Sequence, residues 1–115
     1  MIDNLTNSEE FFIHVHRGFE FLRIENGYIG NEFVLNAREE RWITFYSPST
    51  KNKITIIERE SGYLDFYVET KNLIGWRSKT LKDYFENDVK VQSIRRLVEL
   101  IKGNKRLMRD LTNRP

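Results

Sequence analysis

The sequence predicts an α+β domain in which an antiparallel β-meander of about four strands packs with an N-terminal helix and a C-terminal helix. Three segments rich in β-branched and aromatic residues follow one another in the middle of the chain: 42–46, 54–57 and 63–68. The connections between them are short, so neighbouring strands must run antiparallel. Helical periodicity flanks this block on both sides, which favours helices gathered on one face of the sheet.

The first helix is predicted from residue 7 to about residue 22, because its apolar residues recur every three or four positions. Thr6 or Asn7 is the expected N-cap. Gly18 is the weak point inside this helix, and Gly27 is expected to end the element. The apolar stripe consists of Phe11, Val15, Phe19 and Leu22.

The predicted strands alternate between an apolar face and a mixed aromatic and polar face, with a short first strand at 33–35 as the fourth member of the sheet. A sheet of this kind buries one face and leaves the other solvated. The apolar face contains Ile43, Phe45, Leu64, Phe66 and Val68. The mixed face contains Trp42, Thr44, Tyr46, Tyr63, Asp65, Tyr67 and Glu69.

The last third of the chain is predicted to end in a second helix, in which Gly103 is a C-cap or a tolerated break. Before it, residues 69–72 are interpreted as a turn or strand end, and Ser78 or Thr80 as the cap of a brief helical turn. We expect a single domain over residues 1–115, with 104–115 as a mobile basic tail. The stripe of the second helix contains Val91, Ile94, Leu97, Val98 and Ile101. Together the patterns predict one shared core, which includes Phe11, Val15, Phe19, Phe45, Phe66, Leu97 and Ile101.

The composition, with 39% hydrophobic and 31% charged residues, is ordinary for a soluble globular protein. The chain has no cysteine, which excludes disulfides and thiolate metal sites and fits a reducing cytoplasm. We recognise no secretory signal and no apolar run long enough to span a membrane. The expectation is therefore a cytoplasmic protein without membrane contact.

Residues that could carry chemistry are few, and each has a structural explanation. His14 and His16 would point about 200° apart on a helix, which does not suit a shared metal ion. The carboxylate pairs at 9–10, 39–40 and 58/60 are explained by a helix start, a polar turn and a strand end. The sequence thus predicts no catalytic residue, no cofactor and no metal site.

Two surfaces are candidates for binding. The mixed sheet face would present Trp42, Tyr46, Tyr63, Asp65 and Tyr67 to a protein partner, unless a helix or the 73–85 segment covers it. The acids among these aromatics suit a basic partner surface. The C-terminal helix carries four basic residues that would contact nucleic acid or form the solvated side of a docked helix: Lys102, Lys105, Arg106 and Arg109.

The segment Phe19-Glu20-Phe21-Leu22, the turn at 26–28 and the strands at 42–47, 54–56 and 64–68 together resemble small bacterial α+β proteins. Several such families are presumed immunity proteins of toxin systems. The resemblance covers residues 11–70 and rests on hydrophobic patterns and turns, so it transfers no functional residue. It implies a protein that is not an enzyme and acts by binding another protein.

The favoured function is accordingly a small cytoplasmic protein-binding domain, immunity-like, that uses the mixed sheet face. A nucleic-acid-binding protein that uses the basic C-terminal helix is the alternative, and a small enzyme without a recognisable motif is the second alternative. The sequence leaves a monomer and a homodimer equally open.

Overall fold

The computed structural model describes residues 2–35, 40–59, 61–72, 75–86 and 89–112. The described chain is an α+β fold with four α-helices and five strands. The helices are α1 (Ile2–Gly18), α2 (Glu20–Asn26), α3 (Ile94–Gly103) and α4 (Lys105–Thr112). The strands are β1 (Ile29–Leu35), β2 (Arg41–Tyr46), β3 (Lys53–Glu58), β4 (Leu64–Asn72) and β5 (Gly75–Thr80), and a 3₁₀ turn (Leu81–Asp83) follows β5.

The five strands form one antiparallel meander in the order β1-β2-β3-β4-β5. The predicted meander is confirmed, but the sheet has five strands because 69–72 continue β4 and residues 75–80 add an edge strand. The sequence of β5, Gly-Trp-Arg-Ser-Lys-Thr, has neither an apolar alternation nor β-branched residues in its interior, so nothing in it signals a strand. The cap at Thr80 is confirmed: its backbone amide donates to the Asp83 carboxylate at the start of the 3₁₀ turn.

One face of the sheet and the inner sides of the helices form the hydrophobic core. The apolar face predicted from the strand alternation is buried as expected, and β3 adds Ile54 and Ile56 to it. Every residue of the predicted shared core belongs to this single cluster. The Phe19 ring stacks between the rings of Phe45 and Phe66 at centroid distances of 6.0 and 6.3 Å, so the N-terminal helical segment is fixed directly on β2 and β4.

The predicted first helix is divided in two at Phe19. A side chain at Gly18 would approach Ile94 Cγ2 to 2.8 Å, so glycine is needed where α1 crosses α3. The predicted start is wrong, because α1 begins at Ile2 and already contains Thr6 and Asn7, neither of which can then be the N-cap. The predicted end is confirmed, since Gly27 adopts the left-handed conformation with φ of 70° and closes α2.

The C-terminal segment forms two helices that are both packed on the core. Ser93 caps α3 by accepting a hydrogen bond from the Arg96 amide, so Val91 lies outside the helix and instead bridges to Leu64. Asn104 starts α4 by accepting from the Leu107 amide, which confirms the interruption after Gly103. Leu107 and Leu111 are completely buried, and independent motion of the segment stays a prediction. Residues 113–115 of the proposed mobile tail lie outside the described residues.

Candidate functional site on the outer face of the sheet

The face of the sheet that points away from the helices, here called the outer face, carries the predicted partner-binding residues. The register aligns Trp42 of β2 with Ile57 of β3 and Asp65 of β4. Two positions further along β2, Thr44 aligns with Thr55 of β3 and Tyr67 of β4. Strand alternation therefore places all five predicted residues on this face: Trp42, Tyr46, Tyr63, Asp65 and Tyr67.

The aromatic rings of the outer face are accessible to different degrees. Trp42 is 37% exposed and Tyr63 is 36% exposed, while Tyr46 and Tyr67 are half-buried. Thr55 and Ile57 between them are buried by their neighbours. The outer face thus has buried side chains on β3 and more accessible rings on the neighbouring strands. The 73–85 segment does not cover it where it is described: residues 75–80 lie in the plane of the sheet as β5.

Arg59, which follows β3, is a residue of the site that the sequence analysis missed. Its guanidinium binds three outer-face groups: Nε contacts Asp65 Oδ2 at 2.5 Å, Nη1 contacts Glu40 Oε2 at 3.1 Å and Nη2 donates to Tyr67 Oη at 3.1 Å. The hydrogen bond to Asp65 raises the pKa of Arg59, so the cation is permanent. The strand alternation contained the signal, since Arg59 lies two positions after the outward-facing Ile57.

The Arg59 contacts change the electrostatic character expected for this surface. Asp65 was expected to give the aromatic face an acidic character, but both Asp65 and Glu40 are ion-paired with the same guanidinium. The Lys90 ammonium adds a positive charge 5.8 Å from the Tyr63 ring centroid. The Trp42 end of the outer face is therefore close to charge balance, which weakens the argument for a basic partner.

The four basic residues suggested for nucleic-acid contact are all exposed, and two of them also contact neighbouring segments. Lys102 lies over the Phe21 ring at 4.7 Å. Arg106 donates to the Asp83 carbonyl at 2.7 Å and stacks near the Tyr84 ring. These contacts link α3 and α4 to neighbouring segments, and nucleic-acid binding by the four residues stays a prediction.

A groove of about 920 Å³ runs between α1, α3 and one end of the sheet. Its charges are largely compensated within it, since Arg41 pairs with Glu58 and Arg95 with Glu99. His14 lies at its edge and is exposed, whereas His16 on the same helix is half-buried against the Phe45 ring. Within the part of the chain that is described, no group of three or more His, Cys, Asp or Glu residues could hold a metal ion.

Comparison of the chain with protein-family models, curated proteins and solved structures gave no match. Among the described helices, none is both long enough and apolar enough to cross a membrane. The geometry of the outer face is consequently the basis on which a function is proposed.

Proposed function

We propose that this domain binds another protein through the Trp42 end of its outer sheet face. The observation that carries the proposal is the cluster of exposed or half-buried Trp42, Tyr63 and Tyr67 around the fixed guanidinium of Arg59. Tryptophan, tyrosine and arginine are the residue types most enriched among the energetically dominant contacts of protein interfaces.

The Arg59 contacts support binding by preorganisation. The Tyr67 hydroxyl and the Asp65 carboxylate are each held by Arg59 before a partner arrives. Binding then costs less side-chain entropy, because these groups of the domain are already ordered. Because Arg59 joins the end of β3 to β4 and to the residue that precedes β2, one cation orders the whole end of the face.

The near balance of charge specifies what kind of partner fits. A strongly basic partner would gain little, because Asp65 and Glu40 are already ion-paired with Arg59 and Lys90 adds a further positive charge. We infer that ring burial, rather than net charge, provides most of the affinity. The two interpretations differ in a measurable way: a basic partner should bind much more weakly as salt is raised, whereas a balanced interface should change only slightly.

The immunity-like role implied by the sequence resemblance is the specific form of this proposal, with a toxin as the protein partner and the cytoplasm as the place of action. The resemblance rests in part on the sequence segments that form β2, β3 and β4. Catalysis is not proposed; in the groove, Arg41 pairs with Glu58 and Arg95 pairs with Glu99.

The test is affinity capture from native lysate with the parent domain and a Trp42→Ala/Tyr67→Ala double variant. Ile24→Ala is the matched control, because Ile24 is 75% exposed on α2, away from the sheet face. We expect the double variant to lose a protein that both the parent and the control retain. The captured protein is then purified and its affinity measured directly at low and high salt.

Thermal melting of the same three proteins separates binding from folding. We expect the double variant to remain folded, with only a modest loss of stability, since surface substitutions usually have small effects. A folded double variant that still bound every partner with parental affinity would disprove the proposal. A large drop in melting temperature would instead show that these rings belong to the core.

A further inference from the structure

The opposite end of the outer face has a different chemistry. Here Trp76 of β5 lies across from Lys71 of β4 in the strand register, and Tyr46 of β2 lies across from Lys53 of β3. We call these four residues the basic–aromatic corner. Strand alternation places all four side chains on the outer face, at the end remote from Trp42 and Arg59.

Trp76 is the most accessible ring of the outer face, at 48% exposure. The Lys53 ammonium lies 5.4 Å from its ring centroid, and this cation–π contact orders the ring above the sheet. Lys71 is exposed and occupies the directly opposed position, where side chains of adjacent strands approach each other to within about 5 Å at Cβ. The corner therefore combines one accessible indole with two ammonium groups.

The charge at this corner is positive. Exposed Lys51 precedes Lys53 in the β2–β3 turn and adds a third lysine at the same end of the sheet. Glu69 lies opposite Lys53 in the strand register and contributes one negative charge. This contrasts with the Trp42 end, where one guanidinium is shared by two carboxylates.

We propose that the basic–aromatic corner binds single-stranded nucleic acid, with a base stacked on Trp76 and neighbouring phosphates contacted by Lys53 and Lys71. A flat, exposed ring accepts any base by stacking, and lysines neutralise the backbone without reading the sequence. The proposal is independent of protein binding at the Trp42 end. It places the nucleic-acid surface on the sheet rather than on the C-terminal helices, where exposed Lys102 and Arg106 also contact the Phe21 ring and the Asp83 carbonyl.

The test measures the fluorescence anisotropy of labelled oligothymidylate and labelled oligouridylate as the full chain is added. The affinities are compared with those for duplex DNA and for poly-glutamate. The two single strands separate a DNA ligand from an RNA ligand. Since Trp42 and Trp76 are the only tryptophans, a Trp42→Phe background makes the intrinsic tryptophan fluorescence report Trp76 alone. We expect binding of a single strand that quenches this fluorescence and weakens as salt is raised.

Three variants locate the contact. Trp76→Leu retains apolar volume but removes the stacking surface, and should weaken binding about tenfold. Lys71→Ala should reduce the slope of log affinity against log salt by about 0.7, the loss of one phosphate contact on a single strand. Arg109→Ala, which removes an exposed cation of α4, should leave both quantities unchanged.

Several outcomes would overturn the proposal. Absence of single-strand binding by the folded parent would do so directly. Equal affinity for poly-glutamate would assign the corner to acidic protein segments, and equal affinity for duplex would remove the stacking role. Loss of binding in Arg109→Ala with parental binding in Trp76→Leu would return the site to the C-terminal helix. Thermal melts accompany each variant, and Lys71→Ala tests the corner at an exposed position even if Trp76→Leu is destabilised.

Discussion

The two faces of the sheet are built from the same strands but are stabilised differently. On the core face, Phe45 and Phe66 are almost completely buried and stack on Phe19. On the outer face, Tyr67, the direct chain neighbour of Phe66, is half-buried and holds its place through a hydrogen bond from Arg59. Alternate residues of one strand thus serve packing and recognition, and substitutions should have effects that alternate in the same way.

The largest expected effect distinguishes these neighbours. Phe66→Ala removes a ring from the middle of the core and should lower the free energy of unfolding by about 3–5 kcal/mol. Tyr67→Ala on the outer face should cost about 1 kcal/mol. Chemical denaturation of both variants measures the difference. A Phe66→Ala variant that melted within a degree or two of the parent would show that the two faces are assigned the wrong way round.

The next effect concerns a buried polar link between the sheet and α4. The Asn52 amide donates to the Asp110 carbonyl at 2.6 Å and contacts the Tyr28 hydroxyl, which itself donates to the Leu111 carbonyl at 2.6 Å. Asn52→Ala leaves the partly buried Asp110 carbonyl without this donor and should cost about 1–3 kcal/mol.

Tyr28→Phe is the companion variant, since it keeps the ring and removes the hydroxyl. Because both side chains bind carbonyls of α4, the double variant should cost less than the two single costs added together. Strict additivity would mean that the two hydrogen bonds support α4 separately.

A smaller effect should depend on pH. Burial lowers the pKa of His16, and the nearby Arg23 lowers it further. The folded state therefore binds fewer protons than the unfolded state, so this contribution to stability is complete above pH 6.5 and is lost as the pH falls below 6.5 toward the lowered pKa. His16→Gln should reduce the loss of stability between neutral and mildly acidic pH, as measured by urea denaturation. An unchanged pH dependence in that variant would exclude His16 as its source.

The smallest effect is expected on the solvated side of α4. Lys105→Ala and Arg109→Ala should each change stability by about 0.5 kcal/mol or less, because both side chains are exposed. Arg106→Ala should cost slightly more, since Arg106 donates to the Asp83 carbonyl.

Leu107→Ala is the control on the buried side of α4, with an expected cost of about 2–5 kcal/mol. Parental stability of that variant would support the hypothesis of an independently moving tail. A loss in the expected range would show that α4 is part of the core.

How far each prediction from sequence succeeded depended on the strength of the local signal. The strands 42–46 and 63–68 were found because apolar residues alternate along them, and the break after Gly103 was found because glycine and asparagine are poor interior helix residues. The edge strand β5 was missed because none of its residues is buried, so its sequence shows no apolar alternation.

The sequence by itself determined the α+β class, the meander and the identity of both sheet faces, because periodicities of two and of about 3.6 residues are local properties of the chain. Tertiary structure alone decided which charges meet. Arg59 is separated from Glu40 by 19 positions and binds it only because β2 and β3 lie side by side. Trp76 likewise gains Lys53 as a neighbour only once β5 has been added to the sheet. Pairings between distant residues depend on strand register, which is set by the packing of the whole core.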